Sequence, residues 1–138
     1  MHHMPHITTF LSGRHLSIVP ASDNRWRILT ATHEPLLDFA THTHSGESHI
    51  ELFVSTAMTS TDFPQTPGAQ SMFDAEESSE WLEEAFDWLD DFTDTLHEDI
   101  GDYTCTVTTG AADVRRFEAK GYTAKNDDTH RLTKHLSR

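Results

Sequence analysis

The sequence predicts an α/β (α+β) fold: a mixed or antiparallel sheet from a strand-rich N-terminal half, one long acidic amphipathic helix, then strand-helix-strand-strand. Three observations predict it. Before residue 56 the chain falls into short runs rich in Thr, Ile, Val, Leu and aromatics, each closed by turn formers. Between residues 75 and 100 the apolar side chains recur with helical period. After Gly101 the pattern reverts to alternation, broken by one short helical segment.

Taken in order, strands are expected at Ile7 to Leu11, His15 to Val19, Arg25 to Ala31, Leu36 to His42 and His49 to Ser55. Ser12-Gly13, residues 21–24, Glu34-Pro35 and Ser45-Gly46-Glu47 separate them, and Ser45-Gly46 has the composition of a hairpin turn. Residues 57–73, with Pro64, Pro67 and Gly68, read as an irregular connector within one domain spanning 1–138. A helix follows from about Ala75 to Ile100. At 100° per residue, Trp81, Leu82, Ala85, Phe86, Trp88, Leu89, Phe92, Leu96 and Ile100 fall in one arc of about 160°. Asp74 with Glu77 resembles a capping box, and Gly101 is placed as the stop. Tyr103 to Thr108 alternates like a strand, Ala111 to Lys120 reads as a short helix ended by Gly121, and Tyr122 to Lys125 pairs with His130 to Leu136 around Asn126-Asp127-Asp128.

The charge is unevenly placed. The net charge is −13, and the stretch from Asp74 to Asp102 holds thirteen acids with no Lys or Arg, while the remainder is balanced at ten and ten. Glu76, Glu77, Glu80, Glu83, Glu84, Asp87, Asp90, Asp91, Asp94 and Glu98 gather opposite the apolar arc. Six pairs stand at i,i+4 (76/80, 80/84, 83/87, 87/91, 90/94 and 94/98), and each like-charge pair costs a helix about 0.2–0.5 kcal/mol. Glu98 and Asp99 sit at the negative end of the helix dipole. Such a face is expected to repel nucleic acid and anionic membranes and to attract basic surfaces. Its charges recur roughly every 3.3 Å along the axis, close to the ~3.4 Å spacing on one strand of duplex DNA.

No apolar run approaches the ~20 residues that span a bilayer. The opening Met1-His2-His3-Met4-Pro5-His6 lacks the basic and apolar regions of a signal peptide, and the single Cys105 admits no internal disulfide, so a cytoplasmic location is expected.

From His49 onward the order of elements resembles the C-terminal half of the GNAT acetyltransferase family. Ile50-Glu51-Leu52-Phe53-Val54 resembles that family's central strand, and Gln65-Thr66-Pro67-Gly68-Ala69-Gln70 its pyrophosphate loop. Ala111 to Tyr122 resembles the family's helix segment ending in Gly-aromatic, and Leu16 to Ala21 its first strand. The resemblance implies acetyl-CoA as cofactor, held at Gln65, Gly68 and Ala69. Gln70 stands in place of the loop's final small residue, and Glu118 where a tyrosine general acid is often proposed. Asp74, Glu76 and Glu77 stand at the helix start, where the pyrophosphate would lie.

His42, His44 and His49, with Glu47 and Glu51, gather on one hairpin and are the candidates for a metal site, though their spacing fits no standard zinc motif. Cys105 reads as a small buried side chain, and no catalytic residue is assigned. Arg115, Arg116 and Lys120 form a small basic patch expected to pair with the acidic helix.

The leading expectation is a non-enzymatic interaction protein without a cofactor. It would dock on a basic protein surface, a nucleic-acid-binding protein being one candidate, through Glu76, Glu80, Glu83, Glu84, Asp87, Asp90, Asp91, Asp94 and Glu98. An inhibitor or nucleic-acid mimic of the kind phages or plasmids carry would suit that chemistry. The alternatives are a divergent acetyltransferase and an assembly protein that oligomerises through a partly exposed apolar arc.

Overall fold

A computed structural model describes residues 4–54, 72–73, 75–109, 113–125 and 128–137. Its elements are α1 (Pro5–Ser12), β1 (Ser17–Ser22), β2 (Arg25–Leu29), β3 (Pro35–His44), β4 (Glu47–Val54), α2 (Ser78–Ile100), β5 (Tyr103–Thr108), α3 (Val114–Ala119), β6 (Thr123–Lys125) and β7 (Asp128–Leu136). The seven strands form one mixed sheet in the order β1-β2-β3-β4-β5-β7-β6. Only β4 and β5 run parallel, and α2 lies in the connection between them; every other neighbouring pair is antiparallel.

The β3–β4 hairpin has the expected two-residue turn. Ser45 and Gly46 both take positive φ, at 52° and 80°, which matches the twist of the strands they join. The register pairs Phe39 with Leu52, Thr41 with Ile50 and His42 with His49. Phe39, Ile50, Leu52, Cys105, Val107 and Leu132 line one sheet face and are fully buried.

The three helices among the described residues cover that face. Phe92 of α2 meets Phe39 edge-on at 5.6 Å and stacks on Trp88 at 5.5 Å, while Phe10 of α1 lies 5.6 Å from Trp88. Phe117 of α3 packs edge-on against both Phe86 and Tyr122. The Tyr103 hydroxyl donates to the Thr93 carbonyl at 2.7 Å, tying β5 to the middle of α2. The arc read from the sequence is therefore covered within one chain: Trp81, Ala85, Phe92 and Leu96 are at most 1% exposed. The alternative of an assembly protein would leave part of this arc open to another copy; among its residues Ile100 alone is partly buried and the rest are buried within the chain.

The expected strand at Ile7 to Leu11 is instead the helix α1. Pro5 presets the first turn, and Ile7 and Leu11, one helical turn apart, are both buried. The β-branched composition misled because such preferences yield to packing, here against Trp88 and Phe92. Among the described residues the N-terminal half thus holds four strands preceded by a helix. The long helix starts at Ser78 rather than Ala75, and its N-cap Glu77 makes no side-chain capping bond. Asp74, the other half of the expected capping box, lies outside the described residues. Gly101 ends the helix as expected, at φ 82°, where any side chain would be strained.

Candidate functional site

The outer face of α2 is built by the same periodicity that fills the core. Because the apolar residues recur every three to four positions, the intervening acids must face outward. Glu76, Glu77, Glu80, Glu83, Glu84, Asp87, Asp91, Asp94 and Glu98 are exposed, and Asp90 is half-buried at the edge. Among the described residues, cations reach two of these acids. Lys120, just beyond α3, bonds Asp87, and Lys134 Nζ of β7 meets Asp90 Oδ1 at 2.9 Å. The hydrogen bond to Asp87 raises the Lys120 pKa against the opposing effect of burial, and the charges of Asp87, Asp90 and Asp91 raise it further. Asp94 is pushed up from the ordinary carboxylate value, first by burial and then by the negative charge of Asp90 and Asp91; Lys134 and His97 oppose the shift.

The basic patch expected to pair with α2 does so in part. Lys120 reaches it, Arg116 lies beside Glu83 and Asp87 with its Nη1 3.4 Å from Asp113 Oδ1, and Arg115 is exposed. Lys134 was not anticipated, since only the sheet register brings β7 beside Asp90.

Two acids at the C-terminal end of α2 have structural duties. The Asp99 carboxylate is fully covered. It accepts the backbone N–H groups of His6 at 3.1 Å and Ile7 at 2.8 Å, and contacts His6 Nδ1 at 2.7 Å. Met4 at the N-cap of α1 has no oxygen to offer, so Asp99 from a distant segment satisfies those donors. Asp102 bonds His97 Nε2 at 2.7 Å.

The hairpin histidines share a sheet face without forming a metal centre. His44 and His49 rings are 6.3 Å apart, and His42 Nε2 lies 3.7 Å from Glu51 Oε2. Among the described residues no group of three or more His, Cys, Asp or Glu is arranged to hold a metal ion. Gln65, Gly68 and Ala69 lie outside the described residues, and Glu118 is exposed. Cys105 is buried, with the Tyr122 hydroxyl 3.5 Å from its sulfur. Burial pushes its thiol up to about 12, against the smaller opposing effects of that hydrogen bond and of Lys134, so it stays protonated and unreactive. Comparison with protein-family models, curated proteins and solved structures finds no match.

A second concave feature arises because the helices stop short of the sheet. The β3–β4 hairpin runs on past the start of α1 and the end of α2, leaving a cleft of about 550 Å³ beside Asp99 and Ile100. Trp26 forms part of its wall, and the buried indole Nε1 of Trp26 has no hydrogen-bond partner. An unpaired buried donor costs about 1–3 kcal/mol. The sequence pointed to His42 and His49, which border the cleft, but gave no sign of Trp26, which reads simply as a strand aromatic.

No helix among the described residues is long and apolar enough to cross a membrane.

Proposed function

We propose that the chain is a non-enzymatic interaction protein that docks on a basic protein surface through the outer face of α2. The observation that supports this reading is the excess of unneutralised acid on that face. Lys120 and Lys134 engage Asp87 and Asp90, and the exposed stripe Glu80, Glu83, Glu84, Asp91, Asp94 and Glu98 faces solvent in no ion pair among the described residues. The apolar side of the same helix is used up by the core, so the outer side needs no acid for folding. A regular row of charges on a rigid helix suits a basic groove that otherwise binds nucleic acid, because both ligands release the same condensed ions.

The test is affinity against salt. The chain captures basic proteins at low salt, and the affinity for an identified partner is then measured at rising ionic strength with duplex DNA as competitor. Affinity should fall steeply with salt, DNA should displace the chain, and the variant E80Q/E84Q/D91N/D94N should lose binding while remaining folded. Unchanged affinity in that variant would sink the reading.

A second reading, a divergent acetyltransferase, is supported by the order of elements: the central strand β4, then α2, β5, α3 and the β6–β7 pair, in the sequence its resemblance requires. The acids Glu76, Glu77 and Glu80 at the start of α2 oppose a pyrophosphate there. Saturating acetyl-CoA, at about 100 times its dissociation constant, would stabilise a true binder by ~2.7 kcal/mol. An unchanged unfolding temperature would remove this reading.

A further inference from the structure

We propose that the cleft at the open end of the β3–β4 hairpin binds an uncharged, sugar-sized polyol, independently of the acidic face. Its volume of about 550 Å³ falls within the range of small-molecule sites. It is produced by the mismatch between strand and helix lengths.

The chemistry of the lining selects the ligand. The rim carries the hydroxyls of Thr41, Thr43 and Ser48 and the amide of Asn24, while the side chains of His42 and His49 fall on the opposite sheet face by the register. Each of these hydroxyl and amide groups can both donate and accept hydrogen bonds. A ligand hydroxyl has the same dual character, so a polyol can satisfy such a rim in many mutual arrangements. A fixed pattern of donors and acceptors, as on a nucleobase, would require rim groups of fixed sense. The one carboxylate bordering the cleft, Asp99, already accepts two backbone N–H groups and contacts His6, so it is not free to anchor a cation. Trp26 and Ile50 supply an apolar wall for the C–H face of a ring.

The second observation is the indole of Trp26. The residue forms part of the cleft wall and is 8% exposed, and its N–H is buried behind that wall without a hydrogen-bond partner. Indole is donor-only, so once the ring turns its N–H into the cleft a ligand hydroxyl supplies the oxygen acceptor it lacks. Trp88 also carries an unpartnered N–H, but it lies in the aromatic stack between α1 and α2 and does not border the cleft.

The experiment uses the full chain, labelled with ¹⁵N, and follows the indole N–H signals of Trp26, Trp81 and Trp88 during titration with glucose, myo-inositol and uridine. Trp26→Phe assigns its signal. The Trp26 signal should move downfield and saturate with glucose or myo-inositol while Trp81 and Trp88 stay still. Thr43→Val with Ser48→Ala, both on the hairpin rim, should weaken binding about tenfold or more with the fold retained. If Trp26→Phe fails to fold, the rim variant still decides the matter. The proposal is overturned if neither polyol moves the Trp26 signal saturably, if uridine alone saturates it, or if the rim variant binds as tightly as the parent.

Discussion

Neutralising part of the acidic face should make this protein more stable, and the structure says which acids to choose. Asp87 and Asp90 should be spared, because Lys120 and Lys134 bind them. Glu84, Asp91 and Asp94 are exposed and form no ion pair among the described residues. The triple substitution E84Q/D91N/D94N removes four i,i+4 repulsions, 80/84, 87/91, 90/94 and 94/98. At about 0.2–0.5 kcal/mol each, the gain is about 1–2 kcal/mol. Helix propensity barely changes in these exchanges. For a domain of this size that is a rise of about 3–8 °C in Tm. Asp94 adds a pH signature. Its pKa is raised in the folded state, so the folded state binds more protons than the unfolded chain between the ordinary carboxylate value and the raised one. Stability therefore falls as pH rises through that window, and the benefit of Asp94→Asn should be present at neutral pH and vanish once the carboxyl protonates. Thermal unfolding in low-salt buffer at neutral and acid pH measures both effects. Salt near 1 M should erase most of the gain by screening. A triple variant no more stable than the parent at low salt and neutral pH would refute the claim that the face opposes folding.

Asp99→Ala should cost about 0.5–2 kcal/mol by uncapping α1, and amide exchange should accelerate first at His6 and Ile7, whose N–H groups it holds. Asp38 sits under Arg25 and Arg27, at 2.9 and 3.0 Å. Burial pushes its pKa up, but the hydrogen bonds from Arg27 and Arg25 outweigh that and hold it below the usual carboxylate range. Its contribution is present above the unfolded pKa and is lost as pH falls through the folded one. Asp38→Asn should cost on the order of 1–2 kcal/mol at neutral pH, since both guanidiniums are partly solvated, and progressively less under acid denaturation. Cys105 should react with a thiol reagent only at the rate of opening of the native state, which stopped labelling at increasing denaturant would show.

What the sequence disclosed follows from how local each signal is. The apolar arc of α2, the Ser45-Gly46 turn and the stop at Gly101 each depend on residues within a few positions, and each stands where the pattern put it. The helix α1 escaped because its evidence is not local. Ile7-Thr8-Thr9-Phe10-Leu11 has strand composition, and what makes it helical is a bed of Trp88 and Phe92 and a cap, Asp99, some ninety residues away. The candidate surface was legible for the same reason that α2 was: helical period alone sorts its acids from its apolar residues. Its anchoring was only half legible. Lys120 follows a short helix that the sequence showed, but Lys134 reaches Asp90 only through the β5–β7 register, which pairs it with Cys105. The cleft was invisible, because it depends on the length of the hairpin relative to α1 and α2.

The division of labour on α2 bears on why the acids are there. Asp99 caps another helix, Asp102 meets His97, and Asp87 and Asp90 pair with Lys120, just beyond α3, and Lys134 of β7. Glu80, Glu84, Asp91, Asp94 and Glu98 do none of this. A helix whose inner face is fixed by the core could carry any soluble residue at those positions, and mixed charges would gain where like charges lose. Solubility alone asks only for net charge, which alternating acids and bases elsewhere on the surface could supply without repulsion along one rod. An outer face that is uniformly acidic, regular in spacing and mounted on a helix clamped on both flanks has the properties of a rigid electrostatic template. A basic protein meeting it would find its counter-charges already ordered, and so would lose little entropy in aligning them.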